Sequence, residues 1–424
     1  MRETAKEATR AWVLHPDLKS DRDRRDAEPA LAEAVALAAA LPDLDVRGAE
    51  VVPLPKVHAG TLFGSGKIAD LKARFQAEEV GLVLVDGPVS PVQQRNLEKE
   101  WGVKLLDRTG LILEIFGDRA RTREGVLQVE IAALSYQRTR LVRSWTHLER
   151  QRGGGRTVGG PGETQAEADR RAIDEQLLKL KKQVDDVART RTLHRAARAK
   201  VPFPVVALVG YTNAGKSTLF NRLTGAEVLA KDMLFATLDP TMRRLRLPEG
   251  PEVILSDTVG FISELPTELV AAFRATLEEV LDADLVLHVR DVSHPEAALQ
   301  ARAVEETLRA IGMPEATPLI ELWNKIDLLS EDDRAAALVQ GDRVPQVFAV
   351  SALTGQGLDA LLGAIARQVG EETVEEDVVV PHVAGRQRAW LHEHRLVLGE
   401  TEGERGTTVR VRWTPRQRDR YQTL

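Results

Sequence analysis

The first 118 residues alternate short apolar runs with stretches whose apolar residues recur at helical spacing. The runs RAWVLHP, VRGAEVVPLP, GLVLVDG and GVKLLDRT are typical of β-strands. The stretches between them, AEPALAEAVALAAALP, KIADLKARFQAE and PVQQRNLEKEW, are typical of helices. This alternation predicts a small α/β domain over residues 1–118.

Residues 119–200 follow a different pattern, in which two long charged segments flank a Gly- and Arg-rich stretch. No Pro interrupts residues 109–145, where Leu127, Ile131, Leu134 and Leu141 recur at helical spacing. The stretch ERQRGGGRTVGGPGETQ predicts a loop. In the second charged segment, Thr164 is a candidate N-cap and Glu167 completes a capping box. We therefore expect a helical hairpin, with a rigid spacer bearing a solvated charged surface as the alternative.

Residues 201–370 return to the alternating pattern. The apolar runs FPVVALVG, EVILSDTVG, ADLVLHVRD, PLIELWNK and QVFAVSA each end in polar or Gly-containing turns, which predicts a parallel sheet covered by helices. Residues 371–424 contain a helical stretch, GRQRAWLHEHRL, and a strand-like run, TTVRVRW. They predict a small α+β domain at the C-terminal end.

The strongest motif is GYTNAGKS at residues 210–217, which matches G-x-x-x-x-G-K-S in full and lies between an apolar strand and a helical stretch. Backbone N–H groups of such a loop, together with the helix N-terminus, favour phosphate. Lys216 is expected to reach the β- and γ-phosphates, and Ser217 to bind Mg²⁺. The predicted phosphate-binding residues are Gly210, Tyr211, Thr212, Asn213, Ala214, Gly215, Lys216, Ser217 and Thr218.

A second Gly-Lys pair, GSGK at residues 64–67, is a weaker signal. It lacks the first Gly of the motif, and Ile68 stands where Ser or Thr would hold the metal. Two interpretations remain: a turn that opens a helix, or a helix N-terminus that meets an anion.

The tetrapeptide NKID predicts guanine as the base. A carboxylate at Asp327 can accept from the two N–H donors on one edge of guanine, whereas adenine offers no such pair. Asn324 is expected to tie this loop to the phosphate loop, and Lys325 to lie along the base. The Ala352 N–H is expected to meet the base oxygen. The predicted base-binding residues are Asn324, Lys325, Ile326, Asp327, Ser351, Ala352 and Leu353.

Two segments between these motifs are candidates to sense the γ-phosphate. In SDTVGF, Asp257 is expected to hold Mg²⁺, and the Gly260 N–H to contact the γ-phosphate. In FATLDPT, Thr237 is the favoured Mg²⁺ ligand, and Thr241 is the alternative. The metal set is then Ser217, Thr237 and Asp257, and the catalytic set is Lys216, Thr237 and Gly260. The further nucleotide-binding residues are Phe235, Ala236, Leu238, Asp239, Thr258 and Val259.

The residue after D-x-x-G is Phe261, where Ras-like GTPases have a Gln that orients the attacking water. A Phe cannot form that hydrogen bond, so slow intrinsic hydrolysis or help from another group is expected. Asn213 is a candidate to hold a K⁺ ion that compensates charge; the alternative is an Asn that only stabilises its loop.

Composition narrows the location and the partners. The chain of 424 residues has no Cys and a net charge of −6, and no apolar run reaches the length that crosses a bilayer. We expect a cytoplasmic monomer without stable membrane insertion. Basic residues exceed acidic ones between Arg119 and Arg156, which favours RNA phosphates as partners, with a solvated basic loop as the alternative. The candidate RNA-binding residues are Arg138, Arg140, Arg143, Arg150, Arg152 and Arg156.

Several stretches together resemble the HflX family of ribosome-associated GTPases: GPVSPVQQRNLE, DRTGLILEIFGDRARTREGVLQVEIAAL, GPGETQAEADRRAI, GYTNAGKSTLFNRLTG, FATLDPTMRRL and DTVGFISELPTELVAAFRATLEEVLDADLVLHVRD. The resemblance spans about residues 50–370 and includes segments outside the nucleotide motifs. It implies an N-terminal α/β domain, a helical hairpin, a GTPase domain and a small C-terminal domain. It also implies GTP hydrolysis, binding to the rRNA of the large ribosomal subunit, and dissociation of stalled or idle ribosomes under heat stress. The alternatives are a signalling switch that acts on a protein partner, and an ATP-dependent RNA remodeller that uses the N-terminal domain.

Overall fold

The computed structural model of the protein describes residues 8–20, 25–151, 165–198, 203–226, 234–235, 237–238, 241–248, 250–263, 279–370, 374–382, 384–393, 396–403, 406–413, 418 and 421–422. It leaves out the side chains of residues 141–151, 165–167, 188–198 and 342. The chain forms two compact units, one of residues 1–245 and 253–358, the other of residues 246–252 and 359–424. Each unit is described by itself.

The N-terminal part forms a four-stranded parallel sheet in the order β2-β1-β3-β4. Its strands are β1 (Thr9–Leu18), β2 (Leu44–Leu54), β3 (Leu82–Val85) and β4 (Lys104–Asp107). The connecting helices are α1 (Ala27–Ala39), α2 (Ser65–Ala77) and α3 (Pro91–Trp101). The sequence fixes the ends of α3 clearly, because Ser90 and Gln93 form a capping box and Gly102 ends the helix at φ 72°. The predicted α/β architecture is confirmed here.

The segment after β4 folds into three helices, α4 (Arg108–Arg119), α5 (Arg123–Gln151) and α6 (Gln165–Arg198). Residues 109–145 have a continuous helical pattern in the sequence, but the structure breaks the helix between Arg119 and Arg123. The pattern did not predict this break. Thr122 explains the restart, because its hydroxyl accepts from the Gly125 N–H at 3.0 Å. Helices α5 and α6 pack together, with an ion pair of 2.8 Å between Arg138 and Asp174.

The expected N-cap Thr164 lies outside the described residues, whereas the expected start of α6 close behind it agrees with the structure. The hairpin prediction thus agrees with two packed helices of 29 and 34 residues.

The second part of the first unit is a six-stranded sheet in the order β10-β9-β8-β5-β7-β6. Its strands are β5 (Val205–Gly210), β6 (Thr241–Arg246), β7 (Glu252–Asp257), β8 (Leu285–Asp291), β9 (Leu319–Asn324) and β10 (Val347–Ala349). The helices are α7 (Lys216–Thr224), α8 (Ala297–Ala310) and α9 (Glu331–Arg343), with a short 3-10 helix at Ile326–Leu328. The pairs β5–β7, β5–β8, β8–β9 and β9–β10 are parallel, as predicted. Strand β6 was not predicted.

The second unit contains α10 (Leu358–Val369), most of which belongs to it, and α11 (Gly385–Glu393). It also holds an antiparallel sheet in the order β11-β13-β12, from β11 (Val374–Val380), β12 (Val397–Gly403) and β13 (Gly406–Trp413). The predicted α+β character is confirmed, although β11 and β12 are too acidic for their sequences to have predicted strands. Among the helices that the structure describes, none combines the length and the apolar character needed to cross a membrane.

Candidate functional site

The phosphate loop runs from the end of β5 to the start of α7, and two of its glycines are required by close approaches. At Gly210, with φ 154°, an added Cβ would lie 2.2 Å from the Val289 carbonyl oxygen. At Gly215, with φ 95°, it would lie 2.3 Å from Nδ2 of Asn324. Any larger residue would force the loop away from β8 and from Asn324, so the motif glycines have a direct steric reason.

Lys216, at the first position of α7, lies inside this loop. Its ammonium donates to the carbonyl oxygens of Gly210 at 3.1 Å and Tyr211 at 2.8 Å. Burial lowers the pKa of Lys216 to about 8, while the negative charge of Asp257 acts in the opposite direction. An ammonium group in this position is at the centre of the loop that wraps an anion.

Three oxygen-bearing side chains converge beside Lys216. Ser217 Oγ donates to Oδ2 of Asp257 at 2.7 Å, Thr237 Oγ1 donates to the same oxygen at 3.0 Å, and the two hydroxyls are 2.9 Å apart. Asp257 is fully buried, and among the described residues its Oδ1 has no hydrogen-bond partner.

Burial raises the pKa of Asp257, with Lys216 opposing it. A buried carboxylate oxygen without a partner, next to two hydroxyls, fits the oxygen donors that Mg²⁺ prefers. Thr241, the alternative to Thr237, is the first residue of β6.

The segment after β7 lies against the phosphate loop. An added Cβ on Gly260 would be 2.9 Å from Cα of Thr212 and 3.1 Å from Nζ of Lys216. Phe261 extends the contact, because its N–H donates to the Gly210 carbonyl oxygen at 3.0 Å and its carbonyl oxygen accepts from the Thr212 N–H at 2.7 Å. The Phe261 side chain is buried in the apolar core. Thr258 and Val259, also expected at the nucleotide, are buried, and the Thr258 hydroxyl donates to the Leu208 carbonyl oxygen.

The N-K-x-D loop is joined to the phosphate loop as expected. Asn324 donates through Nδ2 to the Ala214 carbonyl oxygen at 2.8 Å. Its Oδ1 accepts from the Ala352 N–H at 2.9 Å, so this N–H, expected at the base oxygen, bonds Asn324 in this structure. Asp327 accepts from the Ser351 hydroxyl at 2.5 Å, which orients its carboxylate.

Two contacts at the base end were not predicted. The Lys325 ammonium lies 2.8 Å from Oδ2 of Asp291, at the end of β8. Arg222 donates to the carbonyl oxygens of Leu353 at 3.3 Å and Thr354 at 3.0 Å, which fixes the loop after β10 to α7. Asp291 and Arg222 lie outside the nucleotide motifs, although within stretches that resemble the HflX family, so the motifs did not predict these contacts.

Eight further predicted residues fall into three groups. Phe235 and Leu238 are buried, and the Phe235 ring meets Phe116 of α4 edge-on at 4.7 Å. Ala236 and Asp239 lie outside the described residues, as do Arg152 and Arg156. Of Arg143 and Arg150 only the helical backbone is described.

The two candidate RNA-binding arginines with described side chains both have partners in the protein. Arg138 pairs with Asp174, as stated above. Arg140 lies 2.9 Å from Oδ2 of Asp107 and stacks over the Tyr136 ring at 5.0 Å. Arg140 is therefore held against Asp107 near the middle of α5, whereas the Arg138 side chain is 44% exposed.

In GSGK, Gly64 is the N-cap of α2, and the Lys67 ammonium lies 2.8 Å from Glu50 and 3.2 Å from Asp70. This geometry agrees with the interpretation as a turn that opens a helix.

A cluster of buried charges between α1, α4 and the phosphate loop was not predicted; we call it the charged cluster. Its members are Arg25, Glu33, Asp86, Arg108, Tyr211, Ser263 and Glu296. Arg108 is 5% exposed and lies 2.6 Å from both Glu33 and Asp86. The cluster borders a cavity of about 390 Å³ at the carboxyl ends of β1 and β3.

Four family models match consecutive parts of the chain. They are described as GTP-binding GTPase N-terminal (residues 28–117), GTP-binding GTPase Middle Region (119–198), 50S ribosome-binding GTPase (205–325) and HflX C-terminal domain (337–422).

Curated relatives agree with these models. GTPase HflX of Magnetococcus marinus is 51% identical over 88% of this chain and 85% of its own length. GTPase HflX of Escherichia coli is 41% identical over 94% of this chain and 91% of its own length. A solved GTP-binding protein of Sulfolobus solfataricus, in complex with GDP, overlaps with 85% of this chain and 98% of its own at a TM-score of 0.45 and 23% identity. By the family models and the curated relatives, the chain belongs to the HflX family of GTP-hydrolysing enzymes.

Proposed function

We propose that this GTPase binds the large ribosomal subunit in its GTP-bound form and dissociates stalled or idle ribosomes under stress. The observation that carries the proposal is the convergence of Thr237, Asp257 and Gly260 on the phosphate loop. Groups placed there respond to the presence of the γ-phosphate, so nucleotide state can select the conformation that binds the ribosome.

In the proposed site, the phosphate-loop N–H groups and the Lys216 ammonium bind the phosphates, and the Gly260 N–H binds the γ-phosphate. Ser217, Thr237 and Asp257 would hold Mg²⁺, which neutralises charge on the β- and γ-phosphates when it is bound. Asp327 selects guanine, with its carboxylate oriented by Ser351. Asn213 would hold K⁺ as a second cation.

The buried Phe261 cannot orient a water molecule. We therefore propose that the ribosome supplies the missing assistance, which makes hydrolysis fast only on the ribosome and couples it to release.

We propose that the hairpin of residues 119–200 contacts the rRNA. It lies in the sequence between a proposed N-terminal domain of residues 1–118 and a proposed GTPase domain of residues 201–370. Support for this contact comes from the Arg-rich composition of residues 138–156. The match of residues 205–325 to a 50S ribosome-binding GTPase model supports the large subunit as the partner. Residues 371–424 form the proposed C-terminal domain.

Co-sedimentation with purified large subunits tests the binding step. The protein is mixed with subunits in the presence of GDP or a non-hydrolysable GTP analogue, over a series of salt concentrations. The expected result is tighter binding with the analogue than with GDP. The logarithm of the binding constant should fall linearly with the logarithm of the salt concentration. Replacing Arg150, Arg152 and Arg156 by Ala should reduce the slope by about 0.7–0.9 per lost phosphate contact. Binding whose affinity depends on neither the nucleotide nor the salt concentration would contradict the proposal and favour a protein partner.

Turnover assays test the nucleotide site separately. Lys216→Ala should abolish most GTP hydrolysis, and unchanged turnover would refute the site assignment. Asp327→Asn should shift preference from GTP towards xanthosine triphosphate, because an amide presents a donor where guanine also donates. Dissociation of ribosomes into their subunits is then followed by light scattering, with the Lys216→Ala variant as control.

A further inference from the structure

Tyr211 belongs to the phosphate loop, but its side chain contacts the charged cluster. Its hydroxyl oxygen accepts from the Ser263 N–H at 2.8 Å and lies 2.5 Å from Oε2 of Glu33. Burial and the neighbouring Glu33 raise the pKa of Tyr211, so the phenol stays protonated and donates to the Glu33 carboxylate. One hydroxyl thus links the phosphate loop, the segment after Gly260 and a helix of the N-terminal part.

Ser263 is held on its other side by Arg108. The Arg108 guanidinium donates to the Ser263 carbonyl oxygen at 3.0 Å and to Oε1 of Glu33 at 2.6 Å. Arg25 binds Glu33 as well, at 2.7 Å, which fixes the carboxylate that accepts the hydrogen bond from Tyr211. Both backbone polar groups of Ser263 are therefore bonded by side chains from distant parts of the chain.

The segment from Gly260 to Ser263 is consequently fixed at two points. Phe261 pairs through its backbone with the phosphate loop, and two residues later Ser263 is bonded by Tyr211 and Arg108. We infer that Tyr211 is a positioning residue for GTP hydrolysis. Its hydroxyl holds Ser263, which keeps the Gly260 N–H in place for the γ-phosphate, and Glu33 orients that hydroxyl. The inference rests on the proposed role of Gly260.

Tyr211→Phe removes the hydroxyl and keeps the ring. GDP lacks the γ-phosphate, so its affinity should stay within about two-fold, whereas affinity for a non-hydrolysable GTP analogue should fall about five-fold, the effect of one lost hydrogen bond. The kcat for GTP should fall at least as much. A purely structural role would weaken both nucleotides equally.

Tyr136→Phe is the matched control. Its hydroxyl also donates to a carboxylate, that of Asp107, and accepts from Arg140 halfway along α5. This control should leave both nucleotide affinities and kcat unchanged within about two-fold, with the melting temperature of each variant recorded to show that it is folded.

Glu33→Gln completes a double-mutant cycle with Tyr211→Phe. If the two residues act through one hydrogen bond, the double variant should show less than about two-fold further loss of analogue affinity beyond the larger single effect. Independent, multiplying effects would refute the role given to Glu33.

The outcomes separate this inference from the site itself. Loss of turnover in Lys216→Ala, together with a Tyr211→Phe variant that behaves like Tyr136→Phe, would overturn the positioning role and leave the nucleotide site standing. Faster hydrolysis in Tyr211→Phe would also overturn it. Full turnover in Lys216→Ala would refute the nucleotide site first.

Discussion

Replacing Arg108 by Met should destabilise the N-terminal sheet far more than an equivalent change at an exposed ion pair. Arg108 is 5% exposed and binds two carboxylates, so its removal leaves buried negative charge. Breaking a buried pair costs about 3–5 kcal/mol. The lower end applies here, because Asp86 keeps His15 and Glu33 keeps Arg25. The matched control, Arg10→Met, breaks an exposed pair with Glu79 and should cost under about 1 kcal/mol.

Hydrogen exchange of the amides in β1 and β3 measures the difference, because these amides exchange through opening of the sheet. A loss of about 3 kcal/mol corresponds to roughly 150-fold faster exchange. Exchange rates for Arg108→Met and Arg10→Met that agree within about two-fold would refute the reasoning.

The same comparison has a pH dependence of defined sign. Burial on its own would raise the pKa of Glu33 and of Asp86, but Arg108 and their other partners hold both below their usual values. A carboxylate with a lowered folded pKa contributes stability above its unfolded pKa and loses it as pH falls through the folded value. The gap between wild type and Arg108→Met should therefore be complete at pH 7 and shrink as acidification protonates these carboxyls, which in the variant remain buried but lack Arg108. A gap that widens on acidification would contradict this assignment.

Three further predictions concern the nucleotide site. Gly215→Ala should lower GDP affinity about 30-fold, because it adds left-handed strain and breaks the Asn324–Ala214 hydrogen bond. Gly225→Ala, at φ 66° with no atom of the described residues within 4 Å of its Cβ, should leave GDP affinity unchanged; equal effects in a nucleotide titration would contradict the steric argument. Asp257→Asn should weaken Mg²⁺-dependent binding of a GTP analogue about 100-fold while Mg²⁺-free GDP binding persists, as a Mg²⁺ titration would show; equal Mg²⁺ dependence would remove Asp257 from the metal set. Replacing K⁺ by Na⁺ should slow wild-type hydrolysis but not that of Asn213→Ala, measured by phosphate release; equal sensitivity would assign Asn213 to loop stability.

The residues that could be predicted from sequence are those whose role depends on local spacing. The phosphate loop needs Gly at two fixed positions and Lys and Ser beside them, so the sequence alone predicts residues 210–217 as this loop. The join between Asn324 and Ala214 was also expected, because both motifs follow strands of one parallel sheet and meet at its carboxyl edge.

The charged cluster could not be predicted in the same way. Glu33 and Tyr211 are 178 residues apart, and Arg108 and Ser263 are 155 apart. No periodicity connects such pairs, and the local patterns around Glu33, Arg108 and Ser263 are those of ordinary surface positions. Strand β11 was missed for a related reason, because Glu375 and Asp377 pair across the sheet with Arg412 and Arg410, which only the register brings together.

The attachment of α5 to Asp107 has a mechanical consequence. Tyr136 and Arg140 attach the middle of α5 to Asp107, since this helix runs from Arg123 to Gln151. The part of α5 beyond Arg140, residues 141–151, is about 17 Å long. A rotation of about 5° at that attachment moves the last residue of α5, about 17 Å away, by about 1.5 Å. One carboxylate thus couples this point of α5 to the helix before it, because Asp107 is also the N-cap of α4, where its Oδ1 accepts from the Gly110 N–H at 2.9 Å.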